Sequence, residues 1–485
     1  MLKRAILFIL LFSAAASAKG RFRPGDWVTY GNFRYVNAVA VGFSHVYFGT
    51  TEGVLRFDRN RRVYEPPLTK ADGLPDNYVR QLAYDQLTDQ VYASTQQGAA
   101  YFLPAFGEWY AAVFPDSLGN HSRPKLPFLL PRDFGLRFLA DGQVSDNNFR
   151  RFRFTDWAED GFNNLWMGSW GLGPFVADVR TGNLERLPYG LLTSRVGGLL
   201  TGADEMWFGC LRKGADGGGL VQWSLKEEKW NYYEAGLVSN FPAGQFYSLA
   251  GSKNFIFLGT EDGIVRFDRK TGYFRPTGRR GGLRGEPVPV LLATESGLFA
   301  GTRFGVYAVD PKTDSVWNLT TPAISGAVIN DLKMAGGYLW AATNRGLYRL
   351  AAGEKNWKRF SDPNQITPST IRSLATSGEI LWAGGIRGLA KINTANDSTE
   401  GWRAPAGEAD LDVYALGANE KYVWAAVRAG VYQFDFANRE WEFLSELDGL
   451  AANEIYQITP AGDYVWFATA EGASRFFWNA PHLRK

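Results

Sequence analysis

Val46-Tyr47-Phe48-Gly49-Thr50-Thr51-Glu52-Gly53 is the stretch whose reading decides the fold, because its pattern returns along the whole chain. An apolar-aromatic pair leads into small residues, a two-residue gap, a glycine and a new apolar run. It recurs as Ile256-Phe257-Leu258-Gly259-Thr260-x-x-Gly263, as Leu298-Phe299-Ala300-Gly301-Thr302-x-x-Gly305 and, near the end, as Val465-Trp466-Phe467-Ala468-Thr469-x-x-Gly472. Ten glycines close the phrase: Gly53, Gly98, Gly173, Gly219, Gly263, Gly305, Gly346, Gly388, Gly430 and Gly472. Most lie 41 to 46 residues apart, and a self-similar period near 42 marks a repeat architecture.

Each repeat reads as a four-stranded antiparallel blade. In 330–360, Asp331 to Met334 alternates as a first strand and Gly336-Gly337 turns. Tyr338 to Ala342 and Gly346 to Leu350 form a hairpin through Asn344-Arg345, and Trp357 to Phe360 is the fourth strand. An aromatic eleven residues past the closing glycine (Tyr64, Trp109, Trp230, Phe274, Trp357, Trp441) marks the fourth strand in most repeats. Blades stacked radially cover each other's faces, so the expected fold is all-β: a β-propeller of about ten four-stranded antiparallel blades.

The tenth repeat lacks a fourth strand, and Trp27 to Tyr30 at the other end carries its aromatic signature. Pairing of Trp27–Tyr30 with Ala473–Trp478 is expected to close the structure and protect strand edges. A single ten-bladed ring is the preferred layout. Two smaller propellers, the terminal one interrupted by the other, are the alternative. The 75 residues between Gly98 and Gly173 point to an insert near 104–148, with Phe128–Leu130 and Leu136–Ala140 forming a crossing or an extra hairpin.

Residues 1–18 read as a secretory signal peptide: Lys3 and Arg4, the apolar run Ala5 to Ala15, then Ala16-Ser17-Ala18 as the cleavage site. The propeller then occupies 19–485, and the expected location is the periplasm or the exterior. The apolar run is too short to span a membrane, and no membrane insertion is expected. Cys210 is the single cysteine, so no intramolecular disulfide is available, and its place in the Thr slot of its repeat reads as a buried thiol. The formal charge is +3, falling by two once Lys3 and Arg4 are removed, which indicates no nucleic-acid partner.

The phrase, with Asp72-Gly73-Leu74-Pro75-Asp76-Asn77-Tyr78-Val79 and its partial echoes at Gly236–Asn240 and Asp448–Asn453, resembles the two-component regulator propeller repeat. The similarity covers nearly all of the mature chain. In that family such propellers form periplasmic or extracellular sensor regions, often for oligosaccharides. The resemblance implies the fold and a binding role. The family's downstream β-sandwich, membrane span and kinase do not follow here, so this chain is expected not to transduce a signal by itself.

Catalytic patterns are scarce. There are three histidines, His45, His121 and His482; His45 and His482 have no ligand pattern nearby and read as solvated. No HExxH, phosphate loop or Gly-x-Ser-x-Gly elbow is present. The expectation is a non-enzyme with no cofactor and no metal. A propeller glycosidase or lyase, with carboxylates brought together across blades, stands as an alternative. The repeated Trp166, Trp207, Trp340, Trp382, Trp424 and Trp466 read as blade packing. Asn77, Asn240 and Asn453 read as turn residues.

The two-residue gap of the phrase is a surface address visited once per blade. Basic residues stand there as Arg212 and Lys213, then as Arg303, Arg345, Arg387 and Arg428 in four consecutive repeats. Acids stand there as Glu52, Glu261, Asp262 and Glu471, and aromatics as Trp170 and Phe304. Arginine forks suit carboxylate, sulfate or phosphate groups, and exposed aromatics suit a sugar face or a protein anchor. Arg303, Arg345, Arg387, Arg428, Trp170 and Phe304 are therefore the candidate binding residues. The expected partner is an envelope or extracellular protein, or an acidic oligosaccharide.

Overall fold

The repeated threonine explains why the phrase folds as it does. Thr50, Thr95, Thr260, Thr343 and Thr469 each donate a hydroxyl hydrogen bond to the carbonyl of their closing glycine, at 2.7 to 3.0 Å. The same hydroxyl accepts the N–H of the second gap residue, as from Glu52 and Arg345, both at 3.0 Å. The closing glycine completes the hairpin at positive φ, for example 128° at Gly53 and 142° at Gly472. A side chain at Gly53 would lie 2.5 Å from the Leu68 carbonyl oxygen. The gap residues are thus held at a rigid hairpin tip while their side chains stay free to vary.

The computed structural model describes residues 22–115, 118, 124–132, 135–214, 216–241, 245–278, 282–295, 297–362, 367–386, 388–402 and 411–483. The expected signal peptide lies outside them. Ten sheets are present, each built on four antiparallel strands. Blades 1 to 10 occupy 36–68, 79–112, 130–186, 196–234, 246–277, 290–318, 329–359, 371–402, 415–444 and 455–476. Trp27–Tyr30 completes blade 10 by pairing antiparallel with Ala473 to Phe476, as expected. Trp27 seats this seam by stacking on Phe476, with ring centroids 4.4 Å apart. The recurrent tryptophans Trp166, Trp207, Trp340, Trp382, Trp424 and Trp466 are at most 6% exposed and pack between blades.

The blades do not form one ten-membered ring. Blades 4 to 10 succeed one another and close, blade 10 returning to blade 4, and the first strands of all seven line one central channel. Polar side chains of the first strands stitch neighbours together. Asp331 accepts the Leu374 N–H at 2.8 Å and Ser373 accepts the Leu416 N–H at 3.0 Å. Gln457 closes the seam: it accepts the Leu199 N–H at 3.0 Å and donates to the Leu199 carbonyl at 2.9 Å.

Blades 1 to 3 form an open arc in the order 3-1-2, with Asp156 of blade 3 accepting the Val39 N–H of blade 1 at 2.8 Å. The terminal ring is therefore interrupted by a second unit, as in the alternative layout, but that unit is not closed. The chain leaves the ring at Gly31 and re-enters at Leu191, whose N–H meets the Gly31 carbonyl at 2.8 Å. Gly190 permits this crossing. Its φ is +86°, and a Cβ there would sit 2.6 Å from the Gly31 oxygen and 2.7 Å from the Phe33 ring.

Of the 104–148 stretch, Glu108–Ala112 is the fourth strand of blade 2, so the extra segment starts beyond it. Its Leu136–Phe138 and Gln143–Asp146 form the extra hairpin, which pairs onto the first strand of blade 3, while Leu130–Pro131 pairs parallel to the fourth. Leu129 and Val144 then cover Leu165, Met167 and Phe175, on the face of blade 3 turned away from blade 1. The segment supplies the cover that a further blade would otherwise give.

Two substitutions test this assembly. Gly190→Ala is expected to lower the urea midpoint by roughly 1–3 kcal/mol of stability, through strain at positive φ and the clash with Gly31. An unchanged midpoint would show that the crossing relaxes freely. Gln457→Leu, which strips both seam bonds from Leu199, is expected to cost about 1–3 kcal/mol in the same measurement, because a buried peptide group is left unpaired.

Candidate functional site

The hairpin tips, the loops entering each blade and the starts of the first strands all lie on one face of the seven-bladed ring. The central channel encloses about 500 Å³. At its tip-side mouth stands the residue that follows a buried apolar residue at the start of each first strand: Tyr247 after Phe246, Asn330 after Ile329, Arg372 after Ile371, Tyr414 after Val413 and Tyr456 after Ile455 in five blades, and Gly197 after Val196 and Pro289 after Val288 in the other two. Tyr247 and Tyr414 are 40% and 45% exposed.

These residues pair as cations on rings. The Arg372 guanidinium lies 4.5 Å from the Tyr414 ring centroid and 3.7 Å from the Asp412 carboxylate. Arg195 lies 5.4 Å from the Tyr456 centroid, and its Nε donates to the Tyr456 hydroxyl at 3.0 Å. Each contact sets a guanidinium over an aromatic ring, and guanidinium N–H groups suit carboxylates and phosphates.

The arginines of the tips flank this rim farther out. Arg303 is 67% exposed at its side chain, covers the Phe304 ring at 4.5 Å and lies 3.8 Å from Glu286. Arg345 is exposed and donates to the Ser325 carbonyl at 3.3 Å. Arg428 is exposed. Arg387 lies outside the described residues. The structure therefore places Arg303, Phe304, Arg345 and Arg428 on one ring.

It separates Trp170 from them. Trp170 belongs to the open arc, bridges to Tyr35 and packs edge-on against its ring at 5.0 Å. The inner rim was missed from sequence because it lies outside the repeated phrase. Its signal was present in five of the seven ring blades: a large polar residue at a fixed place after an apolar one.

The molecule is a β-propeller. No family model and no curated protein matches the chain in sequence. Among solved structures, the fold is similar to PorZ, an essential bacterial surface component of the type-IX secretion system of Porphyromonas gingivalis. The TM-score is 0.60 at 13% identity, over 93% of this chain and 87% of that one. The extracellular domain of the putative hybrid two-component system BT4673 of B. thetaiotaomicron gives a TM-score of 0.45 at 15% identity, over 91% and 70%. The WD40 propeller domain of Doa1 gives 0.43 at 13%, over 60% and 99%.

The propeller's arc and ring meet in a polar junction. Arg34, 8% exposed at its side chain, donates to the Leu192 carbonyl at 2.7 Å and lies 3.4 Å from Glu234. The Tyr35 hydroxyl donates to Asp216. Nearby, Lys213 bonds Glu471 at 2.5 Å and Ser194 at 2.8 Å. Glu52, at the tip of blade 1, faces this group. Burial pushes its carboxyl up to about 7; Lys213 opposes the rise and Glu471 adds to it.

Other sequence readings meet their residues. Cys210 is fully buried, and burial pushes its thiol up to about 11. Asn77 accepts the Lys70 N–H at 2.8 Å and Asn453 the Glu446 N–H at 3.0 Å, both as turn residues.

His45 and His482 differ from the sequence expectation, and His121 lies outside the described residues. His482 is paired at 2.7 Å with Asp26 rather than simply solvated, because the tail folds back along the Trp27 strand. His45 stands 3.1 Å from Glu65, and with Asp58 they bring possible metal-ligand atoms within 4.8 Å of one another. Arg56, 3.0 Å from Glu65, already supplies a counter-charge there.

Glu52 gives a pH prediction. Its folded-state affinity for a proton exceeds that of the unfolded chain, so it favours folding below the ordinary glutamate range, near pH 4.5. That contribution is lost as pH rises through about 7. Glu52→Gln should therefore match the wild type at pH 4.5 and exceed it in denaturant midpoint at about pH 8. Parallel stability profiles across that window would assign the pH dependence elsewhere.

Proposed function

We propose that the protein is an exported, non-catalytic propeller of the cell envelope that binds an acidic partner on the tip face of its seven-bladed ring. The observation that carries this reading is the channel mouth. Arg195 and Arg372 lie over the rings of Tyr456 and Tyr414 there, and Arg303, Arg345 and Arg428 stand exposed on the same face. Rigid aromatics and guanidinium forks form the residue set enriched at binding hot spots. The rim is wide and loop-lined, which suits an acidic surface of an envelope or extracellular protein; an acidic oligosaccharide is the alternative ligand. The fold likeness to a surface component such as PorZ and the amino-terminal leader pattern support the cellular placement.

A non-catalytic role is supported by what stands at the rim. The mouth positions carry Tyr, Asn, Arg, Gly and Pro. Asp331, the carboxylate lining the channel, is engaged by the Leu374 N–H at 2.8 Å and lies 4.0 Å from Lys333.

Replacing Arg303, Arg345, Arg387 and Arg428 by Ser together, with Arg372→Ser as a second variant, tests the face. Retention of envelope proteins on the immobilised wild type should fall steeply between about 50 and 500 mM salt, and both variants should lose most of it at low salt. Retention by the variants equal to wild type would remove this face from the function. Retention of acidic glycans but no protein in a parallel array would decide for the oligosaccharide.

A further inference from the structure

A second site lies where the arc packs on the ring, at the end of blade 4 away from its tip. Tyr30 comes from the amino-terminal strand, Tyr64 from blade 1, Tyr189 from the re-entering segment, and Trp223 and Trp230 from blade 4. Together they surround a cavity of about 190 Å³. Trp223 and Trp230 stack at 5.1 Å with planes 6° apart, and Tyr189 meets Trp230 at 5.1 Å. The volume is below the roughly 300–1,000 Å³ of pockets for drug-sized ligands, so it suits a single ring.

Aromatic packing alone leaves three polar groups in this cavity unexplained. Tyr30 and Tyr189 are 2% and 7% exposed, yet neither hydroxyl has a hydrogen-bond partner among the described residues. The neighbouring Tyr64, by contrast, donates to the Leu187 carbonyl at 2.9 Å. Arg475 also lines the cavity. Its guanidinium lies 4.6 Å from the Tyr464 centroid and 6.0 Å from Trp466, its Nε is buried without an acceptor, and no carboxylate pairs with it among the described residues. Arg475 is half-buried without a carboxylate partner, and the two tyrosine hydroxyls open into the cavity without a protein partner, so a ligand's carboxylate and hydroxyls can take the place of water on all three. The remaining charged group, Glu228, is exposed at the edge. It can accept from a ligand hydroxyl and disfavours a second anionic group.

We propose that this cavity binds a hexuronate, a pyranose carrying one carboxylate, with Arg475 taking the carboxylate, the Tyr30 and Tyr189 hydroxyls bonding ring hydroxyls, and the aromatic faces packing on the sugar. Neutral sugars would leave Arg475 unpaired, and an aromatic acid would leave the two tyrosine hydroxyls poorly used. The site joins blades 1, 4 and 10, so an occupant clamps the arc to the ring. It is independent of the tip face, and either reading can fail without the other.

The test is titration of the full mature chain with glucuronate, galacturonate, glucose and 4-hydroxybenzoate, followed by tryptophan emission and calorimetry. Saturable uronate binding that changes the Trp223 and Trp230 emission is expected, with glucose at least about tenfold weaker. The Tyr30→Phe/Tyr189→Phe pair keeps both rings and should weaken uronate binding about tenfold; Arg475→Gln should abolish it. Should Arg475→Gln fail to fold, the tyrosine pair decides alone. Equal binding of glucose and uronate, tighter binding of 4-hydroxybenzoate, unchanged binding in the tyrosine pair, or no saturable binding of either uronate would each overturn the proposal.

Discussion

A four-stranded blade has two apolar faces, and each must be covered by something. Every other feature of this molecule follows from how that demand is met. In the ring, seven blades cover one another in a closed cycle, and the Gln457 bonds to Leu199 join the last to the first. In the arc there is no cycle, so two faces are left over. On blade 3 the added hairpin and Leu129 lie over the free face. On blade 2, Val91, Ala93, Phe102 and Trp109 turn inward to blade 1, while Tyr92, Tyr101 and Tyr110 form a ladder across the outer face, 5.8 and 5.6 Å apart. The tyrosines are amphipathic enough to face water where leucine or phenylalanine would not.

The same demand governs the junction. The arc contributes Phe57 and Trp166 to a core that also holds Tyr30, Phe208, Trp230 and Trp466 of the ring. This shared core welds the two units into one body, and the polar group around Arg34, Asp216 and Glu234 fixes their register. The cavity between Tyr30, Tyr189 and Trp223 is the place where aromatic rings from four chain segments meet without filling space. A rigid scaffold surrounds it, and rigidity of the surroundings is what a small binding site needs.

Much of the fold was legible because the repeated phrase has a one-residue mechanism at each of its steps. The threonine hydroxyl bridges its own hairpin, the glycine takes the positive φ, and the tryptophan fills the space between blades. The Trp27 strand could be assigned to the last blade because a missing fourth strand and an orphan aromatic strand are complementary in the sequence. The exposed tip arginines were legible for the same reason: Thr343 holds the backbone of Arg345, so the side chain must point outward. The inner rim of Tyr247, Arg372, Tyr414 and Tyr456 was not found, since it lies in the first strand, outside the repeated phrase, and its residue type changes from blade to blade.

The sequence by itself determined the blade, the number of blades and the face on which the variable tips lie, because each of these rests on contacts within about one repeat; it also determined the strand that joins the two ends of the chain, because a missing strand at one end and an orphan strand at the other are complementary. Tertiary structure alone decided which blades are neighbours. That choice rests on contacts between residues far apart in the chain, such as Gln457 with Leu199, Asp156 with Val39 and Gly31 with Leu191. Nothing in a 42-residue period distinguishes a ring of ten from a ring of seven beside an arc of three. The geometry of those few long-range bonds does, and with it the channel mouth and the cavity that the two units enclose.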